Sequence, residues 1–175
     1  VLLRYRPEAI AQQQVATQFP SPERRKTGRL RVMAVNIFFK PRSFGGATLV
    51  AEEMATHLSA LETDVAVFTS YEPIPELFSS SLRYESEGLP VVGSPLSTHI
   101  DPIAGLDNPR CTAQFISWVK AFRPDVVHFH SIQGLGLGML QACLEEGVPF
   151  VVPLHDAWRL CERQFMVKPN GRYCF

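Results

Sequence analysis

The sequence is poor in the features that mark the simplest functional classes. Its four cysteines, Cys111, Cys143, Cys161 and Cys174, are too few and too scattered for a disulfide scaffold. Cys111 and Cys143 fall on helical patterns and are expected to pack as small apolar residues. Cys161 and Cys174 flank a polar excursion and are candidates for half of a metal site, though no C-x-x-C pair or nearby histidine doublet accompanies them. No apolar run approaches the roughly 18–20 residues of a membrane span. The opening VLLRYRPEAI lacks the ordered regions of a signal peptide and an initiating Met, as expected of a processed or excised piece.

Several catalytic signatures are missing as well. There is no G-x-x-x-x-G-K-[ST] loop for nucleoside triphosphates and no G-x-S-x-G elbow for a serine hydrolase. The dinucleotide fingerprint G-x-G-x-x-G does not follow the first strand. Gly134-Leu135-Gly136-Leu137-Gly138 does follow a strand and open a helix, but Met139 and Gln141 stand where the third small residue is needed. Nicotinamide binding is therefore not expected, and neither is a nucleic-acid partner.

What is present is an ordinary soluble composition, 46% hydrophobic and 19% charged over 175 residues, enough for one domain with a sizeable core. Formal net charge is zero, yet residues 1–42 hold nine Lys/Arg against only Glu8 and Glu23. Such a basic arm either settles on an anionic membrane face or lies as a solvated lead-in against the acidic remainder. Pro7–Thr17 reads as a short helix and Phe19–Thr27 as a linker. Residues 1–29 are thus a lead-in segment, and the folded unit spans 30–175.

Within that unit short apolar runs alternate with helical patterns. Strands are expected at RVMAVNIFF from Arg31, at Asp64–Thr69, Asp125–His130 and Phe150–Leu154, with weaker ones at Leu82–Tyr84 and Leu89–Val92. A helix follows Gly46, its buried face assigned to Val50, Met54, Leu58 and Leu61 and its outer face to Glu52, Glu53, Thr56 and Ser59. A second starts at Asn108-Pro109, buries Phe115, Trp118, Val119 and Phe122, and ends at Arg123-Pro124. Gly134 to Glu146 is a loop running into a third, closed by Gly147. Gly93–Asp107 shows no period and reads as a long loop. This alternation predicts an α/β fold, a Rossmann-like, open, mostly parallel sheet with helices on both faces.

In such sheets ligands gather where the strands end. Asn36 and the Gly45-Gly46 turn, then Thr69-Ser70, His130-Ser131 and His155-Asp156, would share one edge. A glycine pair at a helix start lets a ligand approach the backbone, and the first helical amides favour phosphate. An ordinary turn needing two glycines for steric reasons is the alternative. His128 is expected to be a packed structural histidine, and His57 and His99 surface residues.

Three motifs carry a family resemblance: Phe44-Gly45-Gly46-Ala47 after the first strand, Arg123-Pro124-Asp125-Val126-Val127-His128-Phe129-His130-Ser131, and Gly147-Val148-Pro149 running through His155-Asp156-Ala157-Trp158. Together they resemble the N-terminal domain of the group 1 (family 4) retaining glycosyltransferases, which have two Rossmann-like domains in the GT-B arrangement. Cys161, Gly171 and Cys174 are similar to a subset of members. The resemblance implies transfer of a sugar from a nucleotide-sugar donor to an acceptor hydroxyl with retention, without metal or other cofactor. It implies catalytic roles for His130 and His155 and donor phosphate or sugar contacts from Gly45, Gly46, Ser131 and Asp156; Lys40 and Arg42, in the same loop, are candidates either for acceptor contacts or for a solvated role.

The acceptor implied is a carbohydrate or a lipid-linked one, and the location cytoplasmic, with peripheral membrane contact through the basic lead-in. Thr48, Glu62-Thr63 and Pro153 depart from the family pattern. The second domain, with its nucleotide groove and acidic E…E motif, would follow Phe175 over roughly 150–200 residues. This chain alone is therefore expected to be the inactive acceptor-side half of a transferase. The competing expectation is a non-catalytic α/β binding or interaction module with a degenerate fold of the same type.

Overall fold

A computed structural model describes residues 28–72, 81–96, 108–157, 160 and 165–173. The expected helix at Pro7–Thr17, the linker to Thr27, most of the Gly93–Asp107 loop, His99, Cys161 and Cys174 lie outside the described residues.

The elements run β1 (Arg31–Val35), α1 (Gly46–Ala60), β2 (Asp64–Tyr71), β3 (Leu82–Ser86), β4 (Leu89–Pro95), α2 (Pro109–Phe122), β5 (Val126–Phe129), α3 (Gly138–Glu145) and β6 (Phe150–Val151). They form one six-stranded sheet in the order β3-β4-β2-β1-β5-β6. All neighbours are parallel except the β3–β4 hairpin. The fold is thus the mixed α/β, Rossmann-like architecture that the alternating pattern predicts.

Side chains alternate across β1, and the two faces of the sheet make separate cores. Met33 and Val35 join Phe68, Val127 and Phe129 beneath Phe115, Trp118, Val119 and Phe122 of α2 and Met139, Ala142 and Cys143 of α3. Ala34, Val65, Val67 and Val91 point the other way, towards Ala55 of α1, with Leu58 packed alongside. Helices therefore cover both faces. The buried face read for α2 is the one observed.

Its start is also as expected. Asn108 Oδ1 accepts the Cys111 amide at 3.1 Å, Pro follows at the first helical position, and Arg123 ends the helix in a left-handed conformation.

The face assigned to α1 is wrong. Val50, Met54 and Leu61 are 44%, 39% and 73% exposed, and of the four residues assigned inward only Leu58 packs against the core. Thr48, Ala51, Glu52 and Ala55 are buried instead. Alanines let the helix lie close to the sheet, and the two polar residues are satisfied where they are buried. Thr48 Oγ1 accepts from Asn36, and Glu52 accepts from the Ser43 hydroxyl.

Strand ends differ from expectation by small amounts with local causes. β6 stops at Val151, so Pro153, which has no amide to give a ladder, lies beyond it on the sheet edge. β4 extends through Pro95 and absorbs the first residues of the unpatterned stretch, while residues 97–107 are not described. His130 lies one residue past β5, but its amide still donates to Val35 O at 2.8 Å.

Candidate functional site

Strand order reverses at β1. The chain leaves β1 for β2 and β4 on one side and returns to pair β5 on the other. The connecting helices then lie on opposite faces, which opens a crevice at the carboxyl ends of β1 and β5. Asn36 follows the end of β1, and His130 and Ser131 follow the end of β5.

The glycine turn enters from β1. Gly45 has φ of 83°, a left-handed value that favours glycine, and it caps α1. The first helical bond runs from Leu49 N–H to Gly45 O at 3.3 Å, so the amides of Gly46, Ala47 and Thr48 precede the ladder. No acidic residue occupies the first turn. Glu52, one turn further on, reaches back to the Ser43 hydroxyl, so the positive end of the helix is only partly offset by the chain's own carboxylates.

The histidines enter from β5 and β6. His130 Nδ1 lies 3.1 Å from His155 Nε2, and one of the two nitrogens supplies the shared proton. Their rings stack at 5.3 Å between centroids, and His128 tilts against His130 at 4.2 Å. His130 is buried, whereas His155 and Asp156 are exposed. Burial, then the nearby His128 and His155, push the His130 imidazole down from 6.5 to about 3. His128 is lowered too, first by burial and then by His155. Around neutral pH His130 is therefore an uncharged hydrogen-bonding group.

Asn36 was read only as the residue ending the first strand, and it is the link between these parts. It is 1% exposed. Its Nδ2 donates to Phe38 O at 2.6 Å and to Thr48 Oγ1 at 3.1 Å, while Oδ1 accepts the Ser131 amide at 2.9 Å. Thr48, noted in the sequence as a departure from the family pattern, is thus a buried partner inside the helix start.

Lys40 and Arg42 sit on the loop before the glycines, each beside a carboxylate. Lys40 Nζ meets Glu87 Oε1 at 2.6 Å, which raises the lysine's affinity for its proton. Arg42 lies 3.7 Å from Glu72 and stacks over Phe38 at 4.5 Å. The Tyr84 hydroxyl donates to Lys40 O at 2.8 Å, so the β3–β4 hairpin braces this loop from the side.

The Gly134–Gly138 run turns out to serve packing. A side chain on Gly136 would meet Asn108 N at 2.7 Å, and one on Gly138 would meet Thr112 Oγ1 at 2.6 Å. These glycines let the loop before α3 press against the start of α2. Asn108 Nδ2 then donates to Gly134 O at 3.0 Å.

The two described cysteines are no nucleophiles, since burial pushes both thiols up to about 12. Among the described residues no group of three His, Cys, Asp or Glu could hold a metal, and no helix is long and apolar enough to cross a membrane. His57 is exposed, as expected, with its ring on Glu53 O.

Comparison with known proteins bears on what this crevice serves. The sequence model of the glycosyl transferase 4-like domain matches residues 45–173, from the glycine turn to the end of the described chain. The chain belongs to that family. This glycosyltransferase-like domain thus has a transferase-type function in general and sugar-related substrates. No curated protein sequence matches it. Among solved structures it is similar to the C-terminal domain of a hydrogenase from Pyrococcus furiosus. There the identity is 19% and the TM-score 0.46, over 71% of this chain and 91% of that one.

Proposed function

We propose that this glycosyltransferase-like domain is the N-terminal, acceptor-side half of an enzyme that moves a sugar from a nucleotide-sugar donor to an acceptor hydroxyl with retention. What supports the reading is that the glycine turn, His130 and His155 follow the neighbouring strands β1, β5 and β6 beside the point where strand order reverses. His130 touches His155 directly, and Asn36 bonds both to Ser131 and to the first turn of α1.

The chemistry follows from that placement. As the glycosidic bond of the donor breaks, negative charge grows on the leaving nucleoside diphosphate. Fixed amides at Gly45 and Gly46, with the positive end of α1 behind them, stabilise that charge without a metal. His130, held neutral, gives the sugar a hydrogen bond at its reaction centre and adds no charge of its own. His155, more exposed, orients hydroxyls of the sugar or acceptor, while Ser131 and Asp156 complete the donor side. Lys40 and Arg42 face an anionic part of a carbohydrate or lipid-linked acceptor, which would compete with Glu87 and Glu72 for them. In this reading a second Rossmann-like domain closing over this edge supplies the nucleotide groove. A cytoplasmic enzyme, with the basic lead-in touching a membrane, fits the same reading.

The test is a donor screen on the full-length protein, comparing wild type with His130→Ala. Transfer with one nucleotide sugar, cut by about 10²-fold or more in the variant, is expected. Equal rates would remove His130 from the site. No hydrolysis or transfer with any common nucleotide sugar would leave the chain as a binding or interaction module.

A further inference from the structure

We propose that Asn36 is a positioning residue for transfer, its carboxamide holding the glycine turn in register with the histidine pair. The inference rests on the reading just given and adds a residue to it. Backbone bonds already tie β1 to β5 here: Ile37 N–H donates to Ser131 O at 2.6 Å and His130 N–H to Val35 O at 2.8 Å. Those bonds stop short of α1. The Asn36 side chain reaches both, with Oδ1 on the Ser131 amide at 2.9 Å and Nδ2 on Thr48 Oγ1 at 3.1 Å.

Its chemistry is demanding. The site asks for two donors, to Phe38 O and Thr48 Oγ1, and one acceptor, for Ser131 N–H. A carboxamide supplies them in one rigid plane. Aspartate keeps the acceptor and loses both donors, and leucine loses all three. Because the amide plane cannot stretch, it fixes how far the start of α1 lies from the residue following His130. A donor with its phosphate on the glycine turn and its sugar at His130 spans that same interval. A misplacement of about 1 Å between such groups can cost about 10²-fold in rate.

The experiment uses the full-length protein with Asn36→Leu, Asn36→Asp and Thr48→Val, each alone and combined with His130→Ala. Rates are normalised to active sites counted by nucleoside diphosphate binding. For Asn36→Leu, kcat is expected to fall by about 30- to 100-fold while nucleoside diphosphate affinity changes by less than about threefold, because register is lost and not the phosphate contacts themselves. Thr48→Val, which removes a single bond, falls in the same sense but less. His130→Ala should cost at least about tenfold less in the Asn36→Leu background than alone, since residues acting as a unit are not additive.

A purely structural asparagine would lower the count of active sites and leave the His130→Ala penalty whole. That result overturns the proposal. Ring ¹⁵N signals of His130 and His155 provide a readout that needs no turnover. They should move in Asn36→Asp and Thr48→Val, and unmoved signals in either folded variant also overturn it. If wild type transfers no sugar, the transferase reading fails by itself, and the ring signals still decide whether Asn36 sets the histidine pair.

Discussion

The imidazoles of His130 and His155 lie within 18° of parallel, with Nδ1 of the first 3.1 Å from Nε2 of the second. One ring is buried and the other exposed, so a single hydrogen bond connects the floor of the crevice to its rim. Burial, more than the bond itself, keeps the His130 ring from taking up a second proton.

Acid should therefore undo this region first. His130 is pushed down from 6.5 to about 3, so between those values the unfolded chain binds a proton that the folded one refuses. Stability contributed by the neutral ring is intact above about 6.5, declines as pH falls through that window by up to about 1.4 kcal/mol per pH unit, and levels off below about 3. Urea unfolding of wild type and His130→Gln at about pH 7 and about pH 4.5 checks this. The variant should lose less stability between the two, and His128, lowered in the same direction, accounts for part of the slope that remains.

The start of α2 offers a second measurement. Asn108 both caps the helix and holds Gly134 O through its other end. Asn108→Ala should cost about 1–3 kcal/mol, the cap contributing about 1 and the second bond the rest. Asn108→Asp keeps an oxygen for the Cys111 amide and loses only the bond to Gly134, so its unfolding midpoint should fall between the other two.

Gly138 tests whether the glycine run is there for packing. Gly138→Ala places a methyl 2.6 Å from Thr112 Oγ1 and should destabilise by about 1–3 kcal/mol. Thr112→Ala removes the hydroxyl that is struck, so the double variant should recover most of the loss. An unrecovered double variant would assign the glycine to backbone conformation instead.

Substitutions on α1 check its revised face. Val50→Gln and Met54→Lys lie on the exposed side and should change stability by less than about 0.5 kcal/mol. Ala51→Leu and Ala55→Leu, each at 1% exposure, should cost about 1–3 kcal/mol by forcing the helix off the sheet. Thermal unfolding of the four variants separates the two groups.

These residues also mark where the sequence could be read and where it could not. The strands were legible because buried β-branched runs leave few alternatives, and α2 because its aromatic residues repeat at helical spacing above an Asn-Pro start. α1 misled because all its large apolar residues but Leu58 face outward, while the core takes two alanines and two polar residues. Helical period identifies a stripe of large side chains, not the stripe that touches the sheet. Asn36 carried no signal beyond its place at a strand end, since its three partners are two backbone groups and a threonine hydroxyl. That the strand ends would share one edge was expected from the alternation of strands and helices, whereas the strand order and the bond between His130 and His155 came only with the structure.

One consequence of the bond between Asn36 and the Ser131 amide concerns how the molecule comes together. Those residues are 95 positions apart in the chain. β1, α1 and β2 can close on one another early, since short loops cost little entropy to shut. The edge where Asn36 meets Ser131 cannot exist until β5 has returned to the free side of β1, so it waits on a closure across 95 positions, while β1, α1 and β2 need only short ones.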